Sequence, residues 1–149
     1  MHSRRTFIKA GTGVVICVLV QPSAVLAQSD SLSAVVREYV GAATVREGRI
    51  TLGIAPLVDN GNSVPIEVTV ESPMTDADHV VGIAIFNEKN PQRDVAQFTV
   101  GPLAGRAHVA TRIRLATTQK LVAVAKMSDG TCWTHTVNVL VTLAACIEE

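Results

Sequence analysis

Beyond Gly48 the chain alternates apolar and polar residues with a period of two. From Val64 to Glu71, valine and isoleucine alternate with glutamate and threonine after Pro65. This alternation predicts strands with one face in a core and the other in solvent. The pattern predicts seven short strands: Arg49–Gly53, Val64–Glu71, His79–Phe86, Asp94–Val100, Ala107–Leu115, Leu121–Met127 and Thr131–Val141.

Turn signals separate these strands at near-regular spacing. They are Asp59-Asn60-Gly61-Asn62, Asn90-Pro91, Gly101-Pro102 and Ser128-Asp129-Gly130. Short strands punctuated in this way favour a two-sheet antiparallel sandwich of immunoglobulin type.

One helix precedes the strands, from Ser31 to about Val45. Its apolar positions recur at helical spacing, and Asp30 or Ser31 is placed to cap it. These positions are Leu32, Val35, Val36, Tyr39, Val40 and Ala43. The predicted fold class is therefore all-β, an immunoglobulin-like antiparallel β-sandwich with one N-terminal helix.

The strand His79–Phe86 differs from the others because both of its faces are apolar. Gly82 and Ala84 alternate with Val81, Ile83 and Ile85. It is either a central strand, covered by the helix on one side and the opposing sheet on the other, or a smooth face on which a partner protein docks.

The N-terminal segment has the layout of a twin-arginine export signal. Ser3-Arg4-Arg5-Thr6-Phe7-Ile8-Lys9 is followed by an apolar stretch and by Val25-Leu26-Ala27 as a cleavage site. A short membrane anchor is the alternative, but a span needs about 20 apolar residues and this stretch is shorter. We expect residues 1–27 to be the signal peptide, with Arg4 and Arg5 as its signature. The mature chain then works outside the cytoplasm, in the periplasm, with no membrane span.

Length and charge limit what the mature chain can be. A chain of 149 residues predicts one domain. We place the sandwich at residues 28–142 and a C-terminal cysteine arm at 143–149. The 13 basic and 13 acidic side chains balance, but Arg4, Arg5 and Lys9 leave with the signal. The mature chain is therefore slightly acidic, which argues against nucleic acid as a partner.

The sequence contains no motif typical of an enzyme or a metal site. It has no glycine-rich phosphate loop, no nucleophile elbow and no recognisable carboxylate pair. Cys132-x-x-His135 supplies two possible ligands that point to opposite faces of a strand, whereas zinc requires four that converge. His79 and His108 lie in other strands. We expect no metal, no cofactor and no enzymatic activity.

Two of the three cysteines stay in the mature chain, since Cys17 leaves with the signal. Trp133 and every second residue from Val137 to Val141 form the core face of the last strand. Cys132 therefore points toward solvent, a partner or a neighbouring sheet. Cys146 follows the last strand near the chain terminus, where a thiol is accessible unless the segment is held down.

A disulfide between Cys132 and Cys146 is disfavoured by distance. A straight strand from residue 132 to 142 is about 33 Å long at about 3.3 Å per residue, and four more residues return only about 14 Å. Two free thiols then point either to a bridge between chains, through Cys132 or Cys146, or to covalent carriage of a ligand.

Several stretches, in a shared order along nearly the whole chain, resemble the SoxY family. SoxY is the sulfur-carrier subunit of the periplasmic Sox system, which oxidises thiosulfate. The matching stretches are Ile50-Thr51-Leu52 with Pro56, Asp59-Asn60-Gly61-Asn62-Ser63-Val64-Pro65, Ser72-Pro73-Met74-Thr75-Asp76-Ala77-Asp78, Asn87-Glu88-Lys89-Asn90-Pro91, Thr111-Arg112-Ile113-Arg114-Leu115, Val122-Ala123-Val124-Ala125 and Met127-Ser128-Asp129-Gly130-Thr131 with Trp133.

The resemblance implies an immunoglobulin-like sandwich that pairs with a second small β-protein, SoxZ. It also implies that sulfur species are carried through a disulfide-type S–S bond on a cysteine near the C-terminus, to which Cys146 corresponds. Family members typically end in Gly-Gly-Cys-Gly-Gly, whereas this chain has Ala144-Ala145-Cys146-Ile147-Glu148-Glu149. The present arm should be stiffer, and its two glutamates disfavour a thiolate and repel sulfite or thiosulfate.

The expected function is that of a non-catalytic periplasmic carrier. Cys146 attaches sulfur-oxidation intermediates, a SoxZ-like subunit forms a heterodimer with the chain, and periplasmic sulfur-oxidation enzymes process the cargo. Two alternatives remain open: a degenerate SoxY-like binding or assembly module, and a thiol-linked dimer that carries no sulfur.

Overall fold

The computed structural model describes residues 31–145. The predicted signal peptide with Arg4 and Arg5, the capping candidate Asp30 and the carrier candidate Cys146 lie outside the described residues. Within them the chain forms one α-helix, a short 3-10 turn and nine strands. Their bounds are α1 Ser31–Val40, β1 Val45–Glu47, β2 Ile50–Gly53, β3 Leu57–Asn60, β4 Val64–Val70, β5 Val80–Asn87, β6 Asp94–Thr99, the 3-10 turn Pro102–Ala104, β7 Ala107–Ile113, β8 Gln119–Met127 and β9 Cys132–Leu143.

The strands form two sheets, which confirms the predicted all-β, immunoglobulin-like sandwich. One sheet has the order β1-β9-β8-β5-β6, with β3 pairing farther along β9, and the other has the order β2-β4-β7. Pairs are antiparallel except that β1 and β3 both run parallel to β9. The strand β9 therefore has β8 along one edge and two short strands along the other.

The alternating pattern correctly predicted the main core. Along β4, Val64, Ile66, Val68 and Val70 are buried while the residues between them are exposed. They face Ile83, Leu121 and other apolar side chains of the six-stranded sheet across the sandwich. Burial of this apolar surface is the main force that holds the sheets together.

The doubly apolar strand β5 is covered on both sides. Ile83 and Ile85 enter the main core, while Ala84 and Phe86 enter a second cluster beneath α1. None of these four side chains is more than 1% exposed. The prediction of a central strand between helix and sheet is confirmed.

The apolar face of α1 is also confirmed, but the helix is shorter than predicted. All six predicted apolar positions pack into the cluster over β5, β8 and the start of β9. The helix ends at Val40 because Gly41 takes a left-handed backbone conformation, with φ 61°, a common helix stop. Val45, assigned by its pattern to the helix end, begins β1 instead. No helix within residues 31–145 has the length and apolar character needed to cross a bilayer.

The sequence pattern missed β1 and β3. They have three and four residues, too few for an alternation to be visible. Each forms only because β9 offers its free edge, where Val45 pairs with Cys132 and Leu57 pairs with Leu140.

Candidate functional site

The strand β9 separates Cys132 from the segment that leads to Cys146. Cys132 is its first residue and Leu143 its last, so the strand extends about 36 Å at about 3.3 Å per residue. Ala145, the residue before Cys146, lies beyond the end of β9 opposite to Cys132. A strand of this length keeps Cys132 far from Ala145, as the distance argument against a Cys132–Cys146 disulfide requires.

Cys132 is a fully buried thiol under the helix. Its side chain has no exposed surface and packs in the cluster formed by α1, β5 and β8. It is a free cysteine, and burial raises its pKa, with Asp129 adding to the shift and Lys126 opposing it. A thiol that stays protonated is a poor nucleophile.

The covering element on Cys132 is the protein's own helix. The sequence pattern predicts that this side chain faces solvent, a partner or a neighbouring sheet, whereas in the structure it faces α1. A bridge between chains through Cys132 would require α1 to lift off β8 and β9. The proposed interchain role of Cys132 therefore stays a prediction that this packing argues against.

We expect Cys132 to resist thiol reagents until the protein unfolds. In a Cys146→Ser variant of the mature chain, Ellman's reagent at pH 8 should label under about a tenth of the protein, since a buried protonated thiol rarely meets the reagent as thiolate. Urea sufficient to unfold the protein should bring labelling to completion. Rapid labelling of the folded protein would show that α1 opens readily and would revive the interchain role.

The chain just before Cys146 is held in the body of the sandwich by a ring of backbone hydrogen bonds. The amide of Gly61 donates to the Leu143 carbonyl at 2.8 Å, the amide of Leu115 donates to the Gly61 carbonyl at 2.8 Å, and the amide of Ala145 donates to the Leu115 carbonyl at 3.1 Å. Ala145 is only 7% exposed. We call these four residues the Gly61 clamp.

Only glycine fits at the centre of this clamp. A Cβ atom on Gly61 would lie 2.3 Å from the Leu115 carbonyl oxygen and 3.0 Å from the Ala145 nitrogen. Sequence analysis treated Gly61 as part of a turn signal and missed this second role. Nothing in the local pattern reveals it, because the atoms in question come from segments far away along the chain.

Exposed leucines lie on β3 and along the C-terminal half of β9. Leu57 and Leu140 are 54% and 56% exposed and are direct neighbours across the β3–β9 pairing. Leu143, three positions farther along β9, is 60% exposed and points to the opposite face of the sheet from Leu140.

The histidines that the sequence suggested as possible ligands have structural partners. The amide of Leu52 donates to Nδ1 of His135 at 3.0 Å, so that ring ties β9 to β2. Nδ1 of His79 contacts the carbonyl of Thr75 at 2.9 Å, and Nε2 of His108 lies 3.5 Å from a Glu67 carboxylate oxygen. No group of three or more histidine, cysteine or acidic side chains suited to a metal occurs among residues 31–145.

Comparison with known proteins places the chain in a family. The family described as sulfur oxidation protein SoxY matches residues 36–146. Among solved structures, the sulfur carrier protein SoxY from Chlorobium limicola f thiosulfatophilum is 27% identical, with a TM-score of 0.63 over 75% of this chain and 96% of that one. A comparison with curated proteins gives no match.

Other similar structures share the sandwich at lower identity. A superoxide reductase (neelaredoxin) from Ignicoccus hospitalis is 15% identical, with a TM-score of 0.56 over 63% of this chain and 80% of that one. A hypothetical protein from Pyrococcus horikoshii OT3 is 18% identical, with a TM-score of 0.51 over 64% and 95%. These similarities are evidence for the fold alone.

Within residues 31–145 the chain is a small β-sandwich with one docked helix and one buried thiol, and the Gly61 clamp holds the segment that ends at Ala145. Because the family match spans most of the chain, the chain belongs to the SoxY family.

Proposed function

We propose that the mature protein is a non-catalytic sulfur carrier whose working atom is Sγ of Cys146. The observation that carries this proposal is that the SoxY match extends through residue 146. The buried, protonated thiol of Cys132 is unsuited to the task. The similar solved protein from Chlorobium is itself described as a sulfur carrier.

The carrier step joins the thiol of Cys146 to a reduced sulfur species through an S–S bond. With thiosulfate, the thiol loses its proton, the outer sulfur of thiosulfate bonds to Sγ, and the product is a cysteine S-thiosulfonate. Two electrons leave in this step, and a redox partner protein accepts them. The carrier itself supplies only the sulfur atom and its position, so it needs no catalytic group of its own.

The acidic residues that follow Cys146 make the attachment of sulfur to its thiol depend on a loading enzyme. Glu148 and Glu149 follow Cys146 closely, and nearby negative charge raises the pKa of a thiol and opposes the approach of anionic sulfur compounds. A loading enzyme must therefore supply positive charge or a base. We also propose a SoxZ-like partner subunit and periplasmic export through the twin-arginine signal at residues 1–27, as the family membership suggests.

The proposal predicts that the native protein carries a covalent sulfur adduct that a thiol reductant removes. Intact-mass spectrometry of mature protein from cells oxidising thiosulfate should show adducts of sulfur, sulfite or thiosulfate, and peptide mapping should place them on Cys146. A thiol reductant should remove them because the bond is of disulfide type. Unmodified protein from such cells would contradict the proposal.

A second function is favoured by one observation, the loss of the glycines that usually flank the carrier cysteine. A chain with Ala145 and Ile147 in these places is compatible with a degenerate family member that retains the fold as a binding or assembly module. This alternative predicts that sulfur oxidation needs the protein but not its Cys146 thiol.

A further inference from the structure

The side chain of Asn90 joins the loop between β5 and β6 to the segment that follows β7. Its Nδ2 donates to the carbonyl of Arg114 at 2.8 Å, and its Oδ1 accepts from the backbone amide of Ala116 at 3.0 Å. The same Oδ1 accepts from Nε2 of Gln119 at 2.7 Å. Because a backbone amide can only donate and a carbonyl can only accept, these bonds fix which end of the Asn90 side chain is oxygen and which is nitrogen.

Two further side-chain amides hold Asn90 in this position. Oδ1 of Asn87 accepts from the backbone amide of Asn90 at 3.2 Å, and Nδ2 of Asn87 donates to the Gln92 carbonyl at 3.0 Å. Oε1 of Gln119 accepts from the amide of Lys89 at 2.8 Å. Asn87 and Gln119 are only 1% and 4% exposed, so water does not readily replace a partner that either of them loses. Each of these bonds is therefore costly to break.

The segment that Asn90 holds is also part of the Gly61 clamp. Leu115 lies between the two residues whose backbone Asn90 bonds, and its own backbone groups bond elsewhere. Its amide donates to the Gly61 carbonyl, and its carbonyl accepts from the Ala145 amide. Backbone groups of successive residues in an extended chain face opposite edges. The Asn90 side chain therefore bonds one edge of this segment as a neighbouring strand would, while the clamp bonds the other edge.

The bonds on the two edges of this segment depend on each other. Ala116 is only 9% exposed, so its amide needs a protein partner, and the Arg114 carbonyl needs one too or must reach water. If Asn90 did not supply these partners, the segment would have to shift, and the Leu115 carbonyl would shift with it. A hydrogen bond weakens steeply when its distance or angle changes. The side chain on one edge therefore controls the bond to Ala145 on the other.

We propose that Asn90 is a positioning residue for the C-terminal segment. It holds the Leu115 carbonyl in the place where the Ala145 amide meets it, and so sets the position at which the clamped segment ends. The purpose of this arrangement rests on the proposed carrier role, because Ala145 directly precedes Cys146 in the sequence. The coupling between Asn90 and Ala145 is a property of the described residues and is tested without any sulfur compound.

The experiment measures amide hydrogen exchange in isotopically labelled mature protein, resolved by residue with NMR. Asn90→Asp keeps the oxygen that accepts from Ala116 and Gln119 but places a second oxygen against the Arg114 carbonyl, where Nδ2 donated. The Ala145 amide should then exchange about tenfold faster, a change that the net loss of one hydrogen bond can produce. Asn90→Ala removes all three bonds and should accelerate this exchange at least as much.

Asn138→Asp is the matched control. It makes the same chemical change at an exposed position of β9, much nearer to Ala145 along the chain than Asn90 is. Exchange of the Ala145 amide should stay within about twofold of wild type, since exposed substitutions of this kind have small effects. Within each variant, the hydrogen-bonded amides of the β2–β4 pair report overall stability, and in Asn90→Asp they should change by less than about threefold.

A double variant tests whether Asn90 acts through the clamp. A Cβ atom on Gly61 displaces the Leu115 carbonyl oxygen, from which it would lie 2.3 Å, so Gly61→Ala and Asn90→Asp disturb the same segment from its two edges. The unfolding equilibrium constant, from urea denaturation, should rise in the double variant by about threefold less than the product of the two single effects. Substitutions at independent sites would give the full product.

Three results would overturn the inference. They are unchanged exchange of Ala145 in both Asn90 variants, an acceleration that the β2–β4 amides share equally, and a double variant whose effect equals the product of the single ones. Each of them leaves the carrier role of Cys146 standing, because no sulfur adduct enters these measurements. Absence of adduct from wild-type protein would overturn the carrier role, and with it the purpose assigned to Asn90, while the exchange results stayed as they are.

Discussion

Replacing Cys146 with serine is expected to abolish both the sulfur adduct and thiosulfate oxidation by the cells that depend on this protein. A hydroxyl oxygen cannot form the S–S bond to the cargo, so the effect should be complete and should not depend on protein stability. The measurement is intact mass of the mature protein, together with thiosulfate consumption in a strain whose only copy carries Cys146→Ser.

Cys132→Ala is the control for this substitution. A buried free cysteine behaves as a small apolar side chain, so alanine at this position should lower stability modestly and leave loading at Cys146 intact. If Cys146→Ser cells oxidise thiosulfate normally while cells that lack the proposed SoxZ-like partner do not, the protein is an assembly module and not a carrier.

Replacing Gly61 with alanine is expected to break the clamp and destabilise the protein. The new Cβ would lie 2.3 Å from the Leu115 carbonyl oxygen, so the turn or the C-terminal segment must move. Overpacking of this kind typically costs about 1–3 kcal/mol, which urea denaturation of the mature chain can measure. Hydrogen bonds from Gly61 and Ala145 would be lost with the movement.

Gly101→Ala is the matched control for the clamp. Gly101 has extended backbone, with φ −146°, and a Cβ there meets nothing within 4 Å, so the free energy of unfolding should change by no more than about 1 kcal/mol.

A nitroxide attached to Cys146 in a Cys132→Ala background should give a restricted spectrum, which becomes mobile only with Gly61→Ala. Equal stability and equal mobility in the two glycine variants would contradict the clamp.

Sequence reasoning about the candidate site missed what surrounds Cys132, and its assignment of Cys146 as the carrier residue stays a prediction. The distance argument correctly treated Cys132 and the segment before Cys146 as far apart, because a strand's length follows directly from its number of residues. The local pattern placed Cys132 on the face away from the main core, as observed. It could not identify which element packs over that face. Whether solvent, a partner or α1 lies over that face depends on where the helix docks.

The sequence by itself determined the elements that repeat a local period. The alternation of Val64, Ile66 and Val68 specified β4 and its inner face, and the helical spacing from Leu32 to Val40 specified the face of α1, because each signal is contained within one helix or one strand. The choice of Cys146 as the carrier residue also came from sequence, by its position and by the family resemblance, and it stays a prediction.

Tertiary structure alone decided the features that depend on distant parts of the chain. The strands β1 and β3 exist because β9 offers them a free edge, and Gly61 has its second role because Leu115 and Ala145 converge on it. The exposure of Leu57 and Leu140 likewise follows from where α1 stops covering the sheet. These contacts join residues dozens of positions apart, and no local pattern records which distant segments the packing of the core will bring together.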